Sequence, residues 1–370
     1  MPSRRTVLLL IPHLGGGGAE RVTELLTHYL SPEKYRIHLG LVTNSHAGST
    51  ELPISVTVHA LGAKRVRFAA LRVLRLIWRL RPEVILSGMA HLNLLVLLLR
   101  PLLPSGTRIL VRQNGTLSTM PRGYRGVALR RFFRMLYRRS DGVICQSSAM
   151  AKDLHKAAGI PIEAMAVLPN PVDVDEVRTA ERMDAALWTG EGPHLLAVGR
   201  LVREKGFDLL IDAFAEVRHS FPSADLTIAG AGSQETALRA QAYVLGLERC
   251  VRIPGHVRST GPLFQNASIL VVSSREEGMP NAALEAAACG LPIVAVPSMG
   301  GWTEELGGNP GIWLAREVAS EALAATILGA LSRLGPGQRF AHRWIDLYCL
   351  ENAIPAYECL IDFTIAGQWT

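Results

Sequence analysis

Short apolar runs alternate with amphipathic helical stretches along this chain, and they do so twice, on either side of Pro169-Asn170-Pro171. In the first half, residues 6–11, 36–43, 55–59, 83–87, 108–112, 142–145 and 164–168 read as strands. Helices are expected over residues 19–30, 66–80 and 148–158, among others. Residues before proline avoid the helical region, so the Pro-Asn-Pro segment forces an extended crossing. The alternation resumes at His194, with strands near 195–198, 226–229, 251–253, 269–272 and 292–296. Such a rhythm implies a parallel sheet with helices on both faces, built twice. A chain of 370 residues is long for one core and suits two.

Charge divides the same way. Residues 1–172 carry 24 Lys and Arg against 8 Asp and Glu, a net of +16, while the remainder carries 15 against 24, or −9. Asymmetry of this size points to a polyanion or an anionic membrane near the first half. Basic residues concentrate at 64–81 and 122–139. In the second of these, Arg130, Arg131, Arg134 and Arg138 cluster on one side, with Leu129, Phe132, Phe133 and Leu136 elsewhere around the helix. That pattern fits a helix at a membrane surface, or a core-facing helix whose solvent side is basic. No aromatic platform accompanies the arginines, so nucleic acid is not expected.

The start, MPSRRTVLLLIPHL, mimics a secretory signal, but Pro12 and His13 cut the apolar run short and it reads as a buried strand. The best candidate for a membrane span, 92–99, is interrupted by Arg100 and Pro101. Cys145, Cys250, Cys289, Cys349 and Cys359 are scattered without a C-x-x-C pair, the pattern of reduced cytosolic thiols with no metal site.

Two motifs carry chemistry. Residues 273–294, SSREEGMPNAALEAAACGLPIV, place Glu277 and Glu285 on either side of a Gly-x-Pro turn. Pro280 is suited to start a helix, and Gly290 with Pro292 stops it. Glu277 then lies before the helix and Glu285 roughly a turn and a half inside it. Carboxylates accept from hydroxyls and a helix start holds an anion, so the pair suits a ligand with hydroxyls and phosphates. The second motif, Gly199-Arg200-Leu201-Val202-Arg203-Glu204-Lys205-Gly206, joins a strand to a helix. Arg200 offers a planar fork and Lys205 a movable point charge, both suited to a diphosphate. A third loop, 15–18, follows the first strand in the position of a dinucleotide-binding turn. A nicotinamide cofactor is excluded there: the G-x-G-x-x-G spacing needs glycine at 20, which is Glu20, and no acid ends the second strand near Thr43-Asn44.

Together with Gly17-Gly18-Ala19-Glu20, Pro169-Asn170-Pro171-Val172-Asp173, Gly230-Ala231-Gly232, Gly255-His256-Val257 and Gly300-Gly301, these motifs resemble retaining glycosyltransferases of the GT4 type. The resemblance covers nearly the whole chain. It implies a GT-B fold, in which two Rossmann-like doubly wound domains face a central cleft and a C-terminal helix crosses back to the first. The implied boundaries are 1–172 for an acceptor-binding, membrane-facing domain, 173–193 for a linker and 194–335 for a nucleotide-sugar domain. Residues 336–370 would be helices packing back on the first domain.

By the same resemblance the donor is a nucleoside-diphosphate sugar (UDP or GDP) and the acceptor a hydroxyl of a glycan, lipid-linked, in cell-surface glycan assembly. Arg200 and Lys205 would stabilise the leaving diphosphate, Glu277 the sugar hydroxyls and Glu285 the ribose. Gly278, Met279, Pro280 and Asn281 would complete the donor pocket, which Gly17 and Gly18 approach. No metal or cofactor is required, as the cations take its role. Many relatives have histidine where this chain has Gln113-Asn114, so Asn114 and His91 are the acceptor-side candidates. His13, His256 and Glu304 are near the cleft by resemblance. The expected place is the cytoplasm, peripheral to the inner membrane face. Two alternatives stay open at this point: a noncatalytic polyanion-binding protein on the same scaffold, and a nucleotide-sugar epimerase or hydrolase.

Overall fold

The structure is a computed structural model that describes residues 4–15, 17–43, 52–117, 124–180, 188, 191–257, 259–298 and 301–369. Gly16, Asn44, Arg122, Gly300 and linker residues 181–187, 189 and 190 lie outside the described residues. The chain divides into two compact units, Met1–Pro171 with Leu350–Thr370, and Val172–Cys349.

The first unit runs β1 (Arg5–Ile11), α1 (Gly18–Tyr29), β2 (Tyr35–Leu41), β3 (Thr57–Ala60), α2 (Ala70–Leu80), β4 (Val84–Gly88), α3 (Ala90–Leu99), β5 (Arg108–Arg112), α4 (Tyr124–Tyr137), β6 (Gly142–Cys145), α5 (Ser148–Ala158) and β7 (Met165–Val167). Its seven strands pair in the order β3-β2-β1-β4-β5-β6-β7, all parallel. β1 shows why the strand sequences are continuously apolar. Leu8 and Leu10 enter one core with residues of α2, α3, α4 and α5, and Val7, Leu9 and Ile11 enter the other with α1. A strand covered on both faces has no polar side to alternate.

The second unit runs α6 (Val174–Thr179), β8 (His194–Val198), α7 (Phe207–Ser220), β9 (Asp225–Ala229), α8 (Glu235–Val244), β10 (Val251–Gly255), α9 (Gly261–Asn266), β11 (Ile269–Val272), α10 (Asn281–Ala288), β12 (Ile293–Ala295), α11 (Trp302–Leu306), β13 (Ile312–Leu314) and α12 (Ser320–Leu331). Its six parallel strands are ordered β10-β9-β8-β11-β12-β13. Leu195 and Ala197 face the core shared with α7, α8 and α12, and Leu196 faces that of α9, α10 and α11.

Three details differ from the sequence reading. Residues 174–179, within the expected linker, form α6, because Asp173 caps its start by accepting the Glu176 N–H at 2.9 Å and Val177 is buried. Residues 336–349 stay with the second unit, where Val172 donates its N–H to the Tyr348 carbonyl at 2.8 Å. Only α13 (Leu350–Ile365) belongs to the first, burying Tyr357 and Ile361 in the core of β1 and α1. Finally, Phe133 on α4 is 4% exposed and packs inward, so it presents nothing to a surface; Phe132 is 40% exposed.

Candidate functional site

In an open parallel sheet, the loops that leave adjacent strands in opposite directions open a crevice where the strand order reverses. The second unit reverses between β8 and β11. The two loops leaving there are the two motifs singled out above. Local chemistry holds them together. Gly206 has φ 64°, and any Cβ on it would collide with the Ser273 carbonyl oxygen, so only glycine lets the first loop lie against the second. Ser273 Oγ donates to the Lys205 carbonyl at 2.9 Å, and the Arg275 N–H to that of Glu204 at 2.8 Å. The Arg275 guanidinium forks onto Asp208, with both bonds at 2.7 Å, and also donates to the Arg203 carbonyl at 2.9 Å. These bonds from Arg275 hold the Asp208 carboxyl below the usual carboxylate range.

This frame brings Lys205 and Glu277 into contact. Lys205 Nζ donates to Glu277 Oε2, which also accepts from Ser274 Oγ at 3.2 Å. Their side chains are 21% and 15% exposed, so the pair is partly shielded from water. Arg200, in the same loop, is exposed, and its guanidinium bonds no described residue. α10 starts one residue later than expected, with Pro280 extended at the N-cap and no side chain capping the helix. Gly278, Met279 and Pro280 are buried, and Asn281 opens the helix half-buried. Glu285 is the fifth helical residue and accepts from Thr260 Oγ1 at 2.9 Å. His256 and Glu304 are exposed, after β10 and on α11.

The first unit reverses between β1 and β4. The loop after β1 places His13 Nδ1 3.5 Å from the carboxylate of Glu20, which is 5% exposed. Gly17 is the N-cap of α1, and a Cβ there would strike the Glu20 carboxylate, which folds over it; Gly18 begins the helix. After β4, Met89 adopts φ 77° at the start of α3, a left-handed conformation that non-glycine residues rarely hold. His91 follows in the first turn, and burial, then the neighbouring His13, hold its imidazole below the usual histidine range. Asn114, just past β5, accepts through Oδ1 from Arg112 Nη1 and from Gln146 Nε2, the latter at 3.1 Å.

Sequence reasoning named Lys205 and Glu277 separately and missed that they pair. It missed Asp208, Arg275 and Thr260 entirely. Their partners lie 67 and 25 positions away, beyond any local periodicity. The available signals were Asp208, just past the first loop, and Arg275, inside the second; nothing in the sequence marked Thr260.

Comparison with known proteins agrees with this geometry. Residues 16–176 match the family described as Glycosyltransferase Family 4, and residues 192–333 that described as Glycosyl transferases group 1. The chain is 35% identical over 211 residues to a glycogen synthase of Mycobacterium tuberculosis, covering 56% of this chain but only 49% of that protein, about half its length. It is 26% identical over 326 residues to a Campylobacter jejuni N-acetylgalactosamine-N,N'-diacetylbacillosaminyl-diphospho-undecaprenol 4-alpha-N-acetylgalactosaminyltransferase, covering 85% of this chain and 86% of the other. Anabaena HepE, crystallised with UDP and glucose, superposes with a TM-score of 0.77 at 16% identity, covering 96% of this chain and 99% of that one. With both sheets, both switch points and both family matches in chain order, this chain belongs to the family-4 glycosyltransferases of the GT-B fold.

Proposed function

We propose that this chain transfers a hexosyl group from a nucleoside-diphosphate sugar to a hydroxyl of a glycan acceptor, with retention at the anomeric carbon. The observation that carries the reading is the Lys205–Glu277 pair at the β8/β11 switch point, with Arg200 in the same loop as Lys205. A diphosphate gives Lys205 a more highly charged partner than Glu277, and its arrival frees the Glu277 carboxylate to accept from sugar hydroxyls. Arg200 and Lys205 then stabilise the negative charge that grows on the leaving diphosphate, as preorganised cations do. Glu285 accepts from the ribose hydroxyls. Cations in these positions do the work of a metal ion, and the leaving phosphate takes the acceptor proton. Activity is expected to persist in a chelator.

The acceptor in this reading is lipid-linked through a diphosphate, as the printed name of the Campylobacter relative describes for its own substrate. UDP is the better-supported nucleotide, since HepE binds it. Two helices of the first unit support work at the cytoplasmic face of an anionic membrane. α2 and α4 contain no acidic residue, and exposed apolar groups stand among their arginines: Leu71 and Trp78 on α2, Val127, Phe132 and Met135 on α4. Among the described residues, no helix is long and apolar enough to cross a membrane.

Thermal shift with a panel of nucleotide sugars tests the reading. A ligand at a hundred times its Kd stabilises by about 2.7 kcal/mol. One UDP- or GDP-sugar is expected to raise Tm in the wild type and to raise it clearly less in Lys205→Ala. Failure of every nucleotide sugar to bind would remove the donor assignment. Donor turnover to free sugar or an epimer, with no acceptor, would favour a hydrolase or epimerase instead.

A further inference from the structure

The two ends of β5 treat their arginines differently. At the N-terminal end, Arg108 meets Asp141 at 2.9 Å, and Arg100 reaches the same carboxylate at 3.0 Å. At the C-terminal end, Arg112 is 2% exposed and has no carboxylate in ion-pair range among the described residues. Its Nη1 donates to Asn114 Oδ1 and its Nη2 to Asn170 Oδ1, while Nε is buried without a partner among the described residues. Taking a guanidinium out of water costs several kcal/mol, and two neutral amide oxygens bring no countercharge. The C-terminal strand end is also where open parallel sheets hold ligands.

Asn114 continues the pattern. Arginine can only donate, so Asn114 must turn its oxygen towards Arg112 and its amide nitrogen away. That nitrogen has no partner among the described residues either. Two unfilled donors and an uncompensated positive charge therefore stand at one strand end. Beside them, Gly88 is in register with Arg112, and a Cβ on it would meet nothing within 4 Å.

We infer that this strand end is a phosphate-recognition site whose occupant is the diphosphate of the acceptor. Arg112 is a positioning residue in it: it supplies the field and aims the Asn114 amide, which makes the contact. The inference rests on the lipid-linked acceptor reading above and adds residues that hold the linkage.

The test uses the full chain and two acceptors with the same glycan, one joined through a diphosphate to a short prenyl chain and one through a neutral alkyl group. Asn114→Asp provides the missing counter-ion and should raise Tm. It should also collapse the preference for the diphosphate acceptor, read as the ratio of the two KM values, by about ten- to a hundredfold. Arg112→Gln should collapse the same ratio, and Arg112→Lys should restore part of it. If Arg112→Gln fails to fold, Asn114→Asp decides alone. Equal losses on both acceptors, or none on either, overturn the inference. A loss confined to the donor KM also overturns it, by making the donor's diphosphate the occupant. A wild type with no preference between acceptors removes the lipid-linked reading and this inference together. A wild type that prefers the diphosphate, with Asn114→Asp unchanged, removes this inference alone.

Discussion

The β8/β11 and β1/β4 switch points are the same piece of architecture furnished in opposite ways. In the second unit the loops are bound to each other by charge: Lys205 to Glu277, and Arg275 to Asp208. In the first, His13 and His91 flank the reversal, Met89 is strained, and the nearby arginine at the end of β5 has only amides for company among the described residues. Strand order decides where loops emerge, and side chains decide what they greet. A site whose lysine already has a carboxylate is set to exchange that partner with a ligand, whereas one whose buried arginine has no carboxylate among the described residues is set to gain one. The net charges of +16 and −9 for residues 1–172 and the rest repeat that contrast over whole sequences.

The largest effect that would break the comparison concerns surfaces. Replacing Arg130, Arg131, Arg134 and Arg138 with Gln should nearly abolish sedimentation with anionic vesicles, since each cation near such a surface adds on the order of 1 kcal/mol. Binding should fall with salt and leave nucleotide affinity untouched. Arg130 is half-buried, so it should contribute least of the four. Equal binding to neutral vesicles would make the charge split irrelevant to membranes.

Next come the cations of the second unit. Lys205→Ala and Arg200→Ala should each lower turnover by about ten- to a hundredfold, the cost of one charge-assisted bond. Full turnover in either would remove that residue from the diphosphate. A smaller effect is expected one layer out, where Asp208→Asn should raise the donor KM by about threefold to tenfold by loosening the loop that carries Lys205. The charge swap of Asp208→Arg with Arg275→Asp should recover part of it. Absence of any recovery would mean the ion pair is not what aligns the loops.

The smallest effect is on stability against pH. Arg79 donates to His59 Nδ1 at 2.9 Å, so His59 must offer its Nε2–H to His38 Nδ1, 3.0 Å away. Burial, aided by His59 and by the nearby arginines Arg36 and Arg79, holds His38 below its ordinary value of 6.5; burial and Arg79 do the same to His59. Burial likewise lowers His342, against a bond to the Leu291 carbonyl. With folded values depressed, the unfolded chain binds these protons first. Their stability is present above pH 6.5 and lost as pH falls through it towards the lower folded values. Tm should therefore fall below pH 6.5, and His59→Gln should flatten the slope. An unchanged slope in that variant would assign the loss to other groups.

Legibility followed the range of the interaction that builds each feature. β11 and α5 are seen where the sequence places them, at 269–272 and 148–158, because apolar periodicity is a local signal; Ser147 caps α5 by accepting the Met150 N–H. β13 was invisible: three residues, Ile312 to Leu314, carry no period, and only pairing with β12 makes them a strand. The inward turn of Phe133 was equally hidden, since a helix alternating Arg with Leu and Phe does not announce which stripe meets the sheet. In the candidate site, glycines and helix stops announced both loops, while the bonds between the loops span 67 to 72 residues. Arg112 looked like one more strand-end arginine until the absence of a carboxylate partner among the described residues set it apart.

Isothermal titration of the full chain with UDP- and GDP-sugars, in wild type, Lys205→Ala and Glu285→Gln, tests the donor site most directly. The account predicts that one nucleotide sugar binds the wild type and that each substitution weakens it by about tenfold or more, the loss of one charged hydrogen bond. Undiminished binding in both variants would contradict it.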